Sequence, residues 1–419
     1  MSAKRVVITG MGIVSCVGNN VAEMWDSVVN GRCGLSRVTL FDPSDLKTQI
    51  AGEVHGLNPE DFFPAKEVHR TDDFCVYAMA AFTEAARDAG LPTDLRAEGS
   101  PLDPDRTGVC IGSGIGGMRT LESQSRVLFE RGPNRISPFF IPMLISDMAS
   151  GMISIRSGAR GPNFAAVSAC SSGAHAIGES FCAIARGDAD AMICGGAEAT
   201  ISRLGFSGFC AMKAMSTRND DPLHASRPFD KDRDGFVMSE GAGILILEEL
   251  EHARARGAHI HAEVIGYGAS CDAYHITSPA PGGSGGVQAF RMAMNNAGIG
   301  PDDVDYVNAH GTSTHLNDLY ETQALKTVFG SHAREMAVSS TKGTMGHGLG
   351  AAGGFETIIC AKVLQTGIIP PTINYTTPDP ECDLDYTPNT ARERKQVNIA
   401  VNTNLGFGGH NGVIILRKL

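Results

Sequence analysis

The chain reads as an α/β protein built twice over, and two observations carry that expectation. Apolar runs of strand length alternate with helix-like stretches along nearly all 419 residues. That is the pattern of a sheet whose strands are mostly parallel and linked through helices. Each first-half strand that ends in a Gly/Ser-rich turn also has a counterpart of similar texture, in the same order, after about residue 255. "VSACSSGAHAIG", starting at Val167, answers to "VSSTKGTMGHGLGAAGG", starting at Val338. Both are an apolar run, a small-residue corner and a helix rich in glycine and alanine. The echo implies a duplicated βα unit with functional corners from both halves on one face. The halves divide at residues 1–255 and 256–419 and form one compact unit.

The elements follow in order. "RVVITGMG", "RTGVCIGSG", "AAVSAC" and "DAMICGGAEA" are the first-half strands. "AEVIGYGAS", "VDYVNAHGTST", "MAVSSTKG" and "NIAVNTNLGFGG" are the second series. "GAGILIL" and "FFIPMLI" read as core segments, far too short to span a bilayer. Residues 119–160 and 201–239 are insertions expected to build lids and subunit contacts. Within the first, "RGPNRISPFFIPMLI" is too apolar for a linker and should pack over a site or into a partner subunit. "SPAPGGSGGVQ", residues 278–288, reads as a mobile surface loop.

The bulk numbers narrow the function classes. A hydrophobic fraction of 42% with 50 glycines describes a compact chain rich in tight turns. The net charge of -11 argues against nucleic-acid or anionic-membrane binding. The 11 cysteines include no Cys-x-x-Cys pair, which points to reduced thiols and no structural zinc. "MSAKRVVITG" enters a strand with no room for a signal peptide. These readings together predict a cytoplasmic enzyme.

Chemistry concentrates at the corners. Cys170 sits where an apolar run meets a helix anchored by Ala174, Ile177, Phe181 and Ile184. Two readings stand for it: a small space-filling thiol, or a nucleophile whose pKa is lowered by the helix N-terminus. Gly173 and Gly178 weaken that helix and so imply a close backbone approach. His310, just past "VDYV", is either a hydrogen-bonded core histidine or a functional one on the same sheet face as Cys170. Lys342 and His347 lie at the matching corner of the second half. The small residues around Lys342 cannot shield a surface charge, so it should be buried and paired, with Glu356 the candidate partner. The glycine-rich corner from Gly406 to Gly409 could aim amides at an oxyanion.

Two motifs mislead. "GSGIGG" satisfies G-x-G-x-x-G at Gly112, Gly114 and Gly117, but no acidic strand end follows about 20 residues on. "HGTSTH" and "HARARGAHIH" lack helical metal-ligand spacing with a further carboxylate.

One cysteine at a strand–helix corner, two histidines and a lysine in this order resemble the condensing enzymes. "VSACSSG", "AHGTST", "STKGTMGH" with "GAAGG", and "GFGG" carry the resemblance, supported by "ASRPFDKDRDGFVMSEGAG" and "PPTIN". From "VVITGMGIVS" to "GFGGHNG" it covers essentially the whole chain. The chain is similar to the elongating β-ketoacyl-acyl carrier protein synthases, closest to type II. The resemblance implies a thiolase-like duplicated five-layered α-β-α-β-α fold with inserted cap segments, a homodimer, and no metal or organic cofactor. It implies decarboxylative condensation of malonyl-acyl carrier protein with a Cys-bound acyl chain, extending fatty acids by two carbons. Cys170 would be the acyl-accepting nucleophile, His310 and His347 the paired histidines, with Lys342 and Glu356 organising them. The amides of Cys170 and Phe407 would form the oxyanion hole. Thr312, Thr314 and Thr277 would hold the phosphopantetheine arm, and Ile115 and Phe209 would line the acyl tunnel. Lys66, Arg70 and Lys213 are candidates for docking the acidic carrier protein. A discrete polyketide ketosynthase, a thiolase and a non-catalytic chain-length partner are the competing readings; the retained Cys170 opposes the last. The chain departs from the family pattern at His315, His410 and Met345, which bear on pocket shape and arm contacts.

Overall fold

Strands with buried residues on both faces need helices on both faces, and that requirement organises the molecule. A computed structural model describes residues 4–419. Ten strands form the main sheet system: β1 (Val6–Val14), β2 (Thr107–Gly112), β3 (Asn163–Phe164), β4 (Ala191–Glu198) and β5 (Gly241–Glu249) in the first half. The second half supplies β6 (Ala262–Cys271), β7 (Tyr306–Asn308), β8 (Ala337–Ser339), β9 (Ile399–Gly406) and β10 (His410–Arg417). Their spatial order is β8-β7-β9-β10-β6-β1-β5-β4-β2-β3. Counted within each half, both sheets therefore run third, second, fourth, fifth, first. Directions repeat too: β3–β2 and β2–β4 are parallel, β4–β5 and β5–β1 antiparallel. The matching second-half pairs have the same senses. The halves join where Val6, Val7 and Ile8 lie antiparallel to Val264, Glu263 and Ala262.

Six helices complete the layers: α1 (Asp73–Asp88), α2 (Met148–Ser157), α3 (Ser172–Arg186), α4 (Ser284–Ala297), α5 (His315–Phe329) and α6 (Ala352–Thr366). α1 and α2 cover the outer face of the first sheet, and α4, with α5 against it, covers the second. α3 and α6 lie against each other between the sheets, each touching strands of both. This is the duplicated five-layered thiolase-like fold. The outer helices approach by the same device in each half. A Cβ on Gly10 or Gly12 of β1 would meet the carbonyl oxygens of Ala85 or Ala81 at 2.3 and 2.0 Å. One on Gly266 or Gly268 of β6 would meet those of Ala293 or Ala289 at 2.5 and 2.0 Å. The central helices meet at Gly173, whose Cβ would lie 2.8 Å from the Gly350 oxygen, and Gly178 yields to the Tyr267 ring. Both glycines mark the close approach that the sequence implied.

Several expectations need correction. "GAGILIL" is core as expected, within strand β5, while "HNGVIILR" forms β10, a strand outside the expected series; neither alternates, because both faces are buried. "AAVSAC" is not a strand: pairing stops at Asn163–Phe164, just before it, at the sheet edge, and Val167 is 59% exposed. "FFIPMLI" is not core, because Ile141 and Ile145 are exposed. The glycine-rich "SPAPGGSGGVQ" is not a mobile surface loop. It forms a 3-10 turn at Pro281–Gly283 and the first turns of α4. Its glycines let that helix sit against neighbours: a Cβ at Gly285 would lie 2.0 Å from Asp272 Oδ1.

Candidate active site

The approach to Cys170 is a strained corner. Ser168 has φ -147° and ψ 46°, neither helical nor extended, and Ala169 adopts φ +52°, a left-handed value rare outside glycine, as the 3-10 turn Ala169–Ser171 leads into α3. The Ser172 hydroxyl lies 2.7 Å from the Ala169 oxygen and 2.9 Å from the Ser168 amide nitrogen. The Ser171 amide donates to the Ser168 oxygen at 3.1 Å. The corner is thus closed by its own serines. The stripe Ala174, Ile177, Phe181 and Ile184 is buried and anchors the helix behind it.

Cys170, His310 and His347 line one cavity of about 660 Å³. His310 follows β7, and its amide and that of Gly311 donate to the two oxygens of Glu321, each at 2.7 Å. His347 is held through its backbone, donating to the Val237 oxygen at 2.7 Å and accepting from Ser239 at 2.9 Å. The two imidazoles lie edge to face with centroids 5.2 Å apart, and Phe236 sets the His347 ring from its other side at 5.4 Å. Lys342, 2% exposed, pairs with Glu356, whose other oxygen accepts from Asn404 Nδ2 at 2.6 Å. The small residues around Lys342 thus enclose a paired charge.

The electrostatics correct one expectation and support another. Burial pushes the Cys170 thiol up to about 12, although Lys342 and the backbone N–H groups of Phe407 and Cys170 pull the other way. The helix N-terminus therefore does not leave a thiolate in the free protein; desolvation outweighs it. Both histidines are driven well below their ordinary value, by burial first and by the Lys342 charge second. They remain neutral near pH 7, with Nδ1 of each lacking a protein partner. The Phe407 and Cys170 amides converge on the sulfur from a β9–β10 hairpin and from the corner. Neutral donors, a sulfur flanked by two amides, and a buried cation are what acyl transfer with developing negative charge requires.

The other singled-out residues divide. Thr312, Thr314 and Thr277 line the same cavity, with 2.8 Å between the Thr312 and Thr314 hydroxyls. Phe209 and Lys213 line it too, and Phe209 packs against Phe236 and Phe407. Ile115 does not lie on that wall. It packs behind it, in the apolar cluster of Cys170, Ile201, Phe206 and Leu349. Lys66 and Arg70 are also away from the cavity, with the Arg70 guanidinium over the Phe139 ring. Two anchoring carboxylates escaped the sequence reading. Glu321 fixes the His310 loop, and Glu198 accepts from the amides of Gly114, Ile115 and Gly350 at 2.8, 3.2 and 3.0 Å. Their only sequence mark is an acidic residue amid small or apolar neighbours, which many surface residues share. Met345 and His315 have places as well: Met345 is buried, and His315 lines the cavity beside Arg233.

Comparison with known proteins agrees with this geometry. The β-ketoacyl synthase N-terminal domain matches residues 3–253, and the β-ketoacyl synthase C-terminal domain matches residues 261–376. The chain belongs to the β-ketoacyl synthase family, the thiolase-fold condensing acyltransferases. Within it, the chain is 49% identical to 3-oxoacyl-[acyl-carrier-protein] synthase 2 of Synechocystis sp., over 100% of this chain and 99% of that one. It is 51% identical to the synthase of the same name from Staphylococcus aureus, over 99% and 98%. Among solved structures, a type II polyketide ketosynthase in complex with its acyl-carrier protein matches at TM-score 0.91, 33% identity and full coverage of both chains. A β-ketoacyl synthase from Burkholderia phymatum matches at TM-score 0.91 and 34% identity, over 99% of this chain and 100% of that one.

Proposed function

We propose that the chain is a 3-oxoacyl-acyl carrier protein synthase of the elongating, type II kind. The observation that carries the reading is the convergence of Cys170, His310 and His347 on one cavity, with two amides at the sulfur. In the first half-reaction the Cys170 sulfur attacks the thioester carbon of an acyl-carrier arm. Charge collects on the carbonyl oxygen against the Cys170 and Phe407 amides, and the arm leaves as a thiol carrying the Cys170 proton. Because the free thiol is neutral, deprotonation accompanies attack, with the Lys342 charge favouring it. In the second, malonyl thioester loses carbon dioxide. The electron pair passes to the thioester oxygen, where His310 and His347 donate hydrogen bonds as neutral imidazoles. The enolate carbon attacks the Cys170 acyl carbon, the sulfur is expelled and reprotonated, and the product is longer by two carbons.

Thr312, Thr314 and Thr277 hold the arm along the cavity; Phe209 borders the acyl chain, with Ile115 behind it at the deeper end. Lys213, on the cavity wall, receives the acidic carrier, with Lys66 and Arg70 as further candidates for that contact. The chain works as a homodimer. Support comes from large apolar side chains left exposed on the single chain, Phe129 at 85% and Ile155 at 73%, with Ile141, Phe164 and Val167 also exposed. The eleven free cysteines suit a cytoplasmic location. Among the described residues no helix is long and apolar enough to cross a membrane. Fatty-acid elongation is favoured over polyketide assembly because identity to the synthase 2 relatives is about half, against a third for the polyketide ketosynthase.

The test is turnover of acyl-carrier primers from short to long with malonyl-carrier protein. Two-carbon extension by the native protein and none by Cys170→Ala supports the reading; product from Cys170→Ala overturns it.

A further inference from the structure

The two amides beside the Cys170 sulfur come from segments far apart in the chain, and an oxyanion hole works only if both are in register. What fixes their separation is therefore part of the machinery. One candidate is a histidine that the mechanism does not use. His175 lies on the first turns of α3, outside the cavity wall. Its Nδ1 is 2.7 Å from Ser168 Oγ, on the corner that precedes Cys170. Its Nε2 is 3.2 Å from the Asn411 oxygen, just past the hairpin that carries Phe407.

A carbonyl only accepts, so Nε2 carries the proton and donates to Asn411. Nδ1 then has a lone pair and accepts from the Ser168 hydroxyl. The neutral imidazole is thus a two-ended clip, and burial, which lowers its pKa, keeps it neutral. The backbone is shaped around it. A Cβ on Gly412 would sit 3.0 Å from His175 Cδ2, so a side chain there would crowd the ring as β10 passes it. A Cβ on Gly406 would sit 2.6 Å from the Ser168 oxygen, so corner and hairpin are in direct contact beside the clip. Ser171 Oγ, 2.9 Å from the Asn404 oxygen and 3.0 Å from the His410 oxygen, makes a second link across the same seam. Asn411 is itself tied down by its amide to Asp272 Oδ1 at 2.9 Å.

We propose that His175 is a positioning residue that sets the separation of the Cys170 and Phe407 amides by clipping Ser168 to Asn411. This rests on the functional reading above, since it assigns those amides to the acyl oxyanion. It touches neither substrate nor the decarboxylating histidines, so the two half-reactions respond differently to its loss.

The test uses His175→Leu, His175→Asn and His175→Gln in the full chain. Asn retains a polar group where Nδ1 reaches Ser168, and Gln one where Nε2 reaches Asn411. Single-turnover acylation of Cys170 by an acyl-carrier thioester is measured for each, with malonyl-carrier decarboxylation measured in a Cys170→Gln background. The expected result is an acylation rate about 10- to 100-fold lower in His175→Leu. Asn and Gln should fall between it and the native protein, with KM and decarboxylation changed less than about two-fold. Native acylation in His175→Leu overturns the proposal. So does a parallel fall of acylation and decarboxylation, which marks general damage. If His175→Leu does not fold, native acylation by both Asn and Gln variants at unchanged Tm is the overturning result. A native protein that folds but never acylates Cys170 would remove the functional reading as well, whereas unaffected variants remove only the assignment of His175.

Discussion

The corner before α3 and the corner before α6 are the same piece of backbone put to different uses. In each a 3-10 turn precedes the central helix, Ala169–Ser171 in one and Leu349–Ala351 in the other. In each the turn opens on a non-glycine residue with positive φ, Ala169 at +52° and Leu349 at +49°. The next residue is Cys170 in the first half and Gly350 in the second. Cys170 faces the cavity, whereas the Gly350 amide is spent on Glu198. The second half instead inserts a short helix, Lys342–Met345, ahead of its turn, with Lys342 on it and His347 just past its end. Duplication supplied two equivalent elbows; divergence gave the nucleophile to one and the charge-handling groups to the other.

The sharpest way to break this comparison is to remove the nucleophile. Cys170→Ala should lower condensation by about 10³-fold or more while leaving Tm nearly unchanged, measured by 3-ketoacyl product and thermal melting. Cys170→Gln should likewise stop condensation but keep malonyl decarboxylation. Loss of decarboxylation would show that the elbows do not divide the labour. His347→Ala attacks the other elbow. Decarboxylation should fall about 100-fold or more with acylation of Cys170 surviving, as read by carbon dioxide release and by mass of the acyl-enzyme. Equal loss of both steps would count against separate roles.

The buried thiol makes a pH prediction. With its pKa up at about 12, the thiolate fraction of Cys170 rises about tenfold per pH unit throughout the accessible range. Alkylation of Cys170 in the free protein should therefore keep climbing from pH 7 to 10. A plateau near pH 7 would mean that the elbow does pre-ionise its sulfur. The elbows should also differ in tolerance. A Cβ at Gly350 would lie 2.4 Å from the Gly114 nitrogen and 2.6 Å from Glu198 Oε2. Gly350→Ala should cost about 1–3 kcal/mol by denaturant unfolding, whereas Cys170→Ala costs little at the equivalent position.

The sequence made the elbows legible because each is a run of small residues between an apolar run and a helix rich in glycine and alanine. It made Cys170, His310, Lys342 and His347 legible because each is an ionisable side chain set among small residues at a corner; His175, in the same run as Cys170, carries no such mark. It hid β5 and β10, whose two-sided burial erases the alternation that marks a strand. It misread residues 278–288, where glycines serve close packing, and composition alone cannot separate that use from mobility. The sign of the Cys170 shift was also out of reach, because it depends on how deeply the corner is buried.

The smallest effect belongs to the carboxylates that anchor the flanking loops, and it separates the halves once more. Glu198 takes amides from the loop after β2, and Glu321 takes those of His310 and Gly311 after β7. Burial raises Glu321 to about 7, against the pull of its two amide donors. A carboxyl protonated in the folded state and ionised in the unfolded one loses its stabilising contribution as pH rises from about 4.5 towards 7. Asp72 and Glu240, also raised by burial, contribute in the same direction. Glu321→Gln resembles the protonated acid, because one amide finds an oxygen and the other meets an NH₂ group. Measured against the native protein, the variant's stability deficit should be larger at pH 6 than at pH 8 by about 1 kcal/mol, since the native protein gains stability as Glu321 takes up its proton and the variant does not. Decarboxylation, which uses His310, should fall about tenfold at pH 8, while acylation of Cys170 stays within a few-fold. A variant with native decarboxylation, or one whose deficit is the same at both pH values, would show that the two amides do not hold the His310 loop.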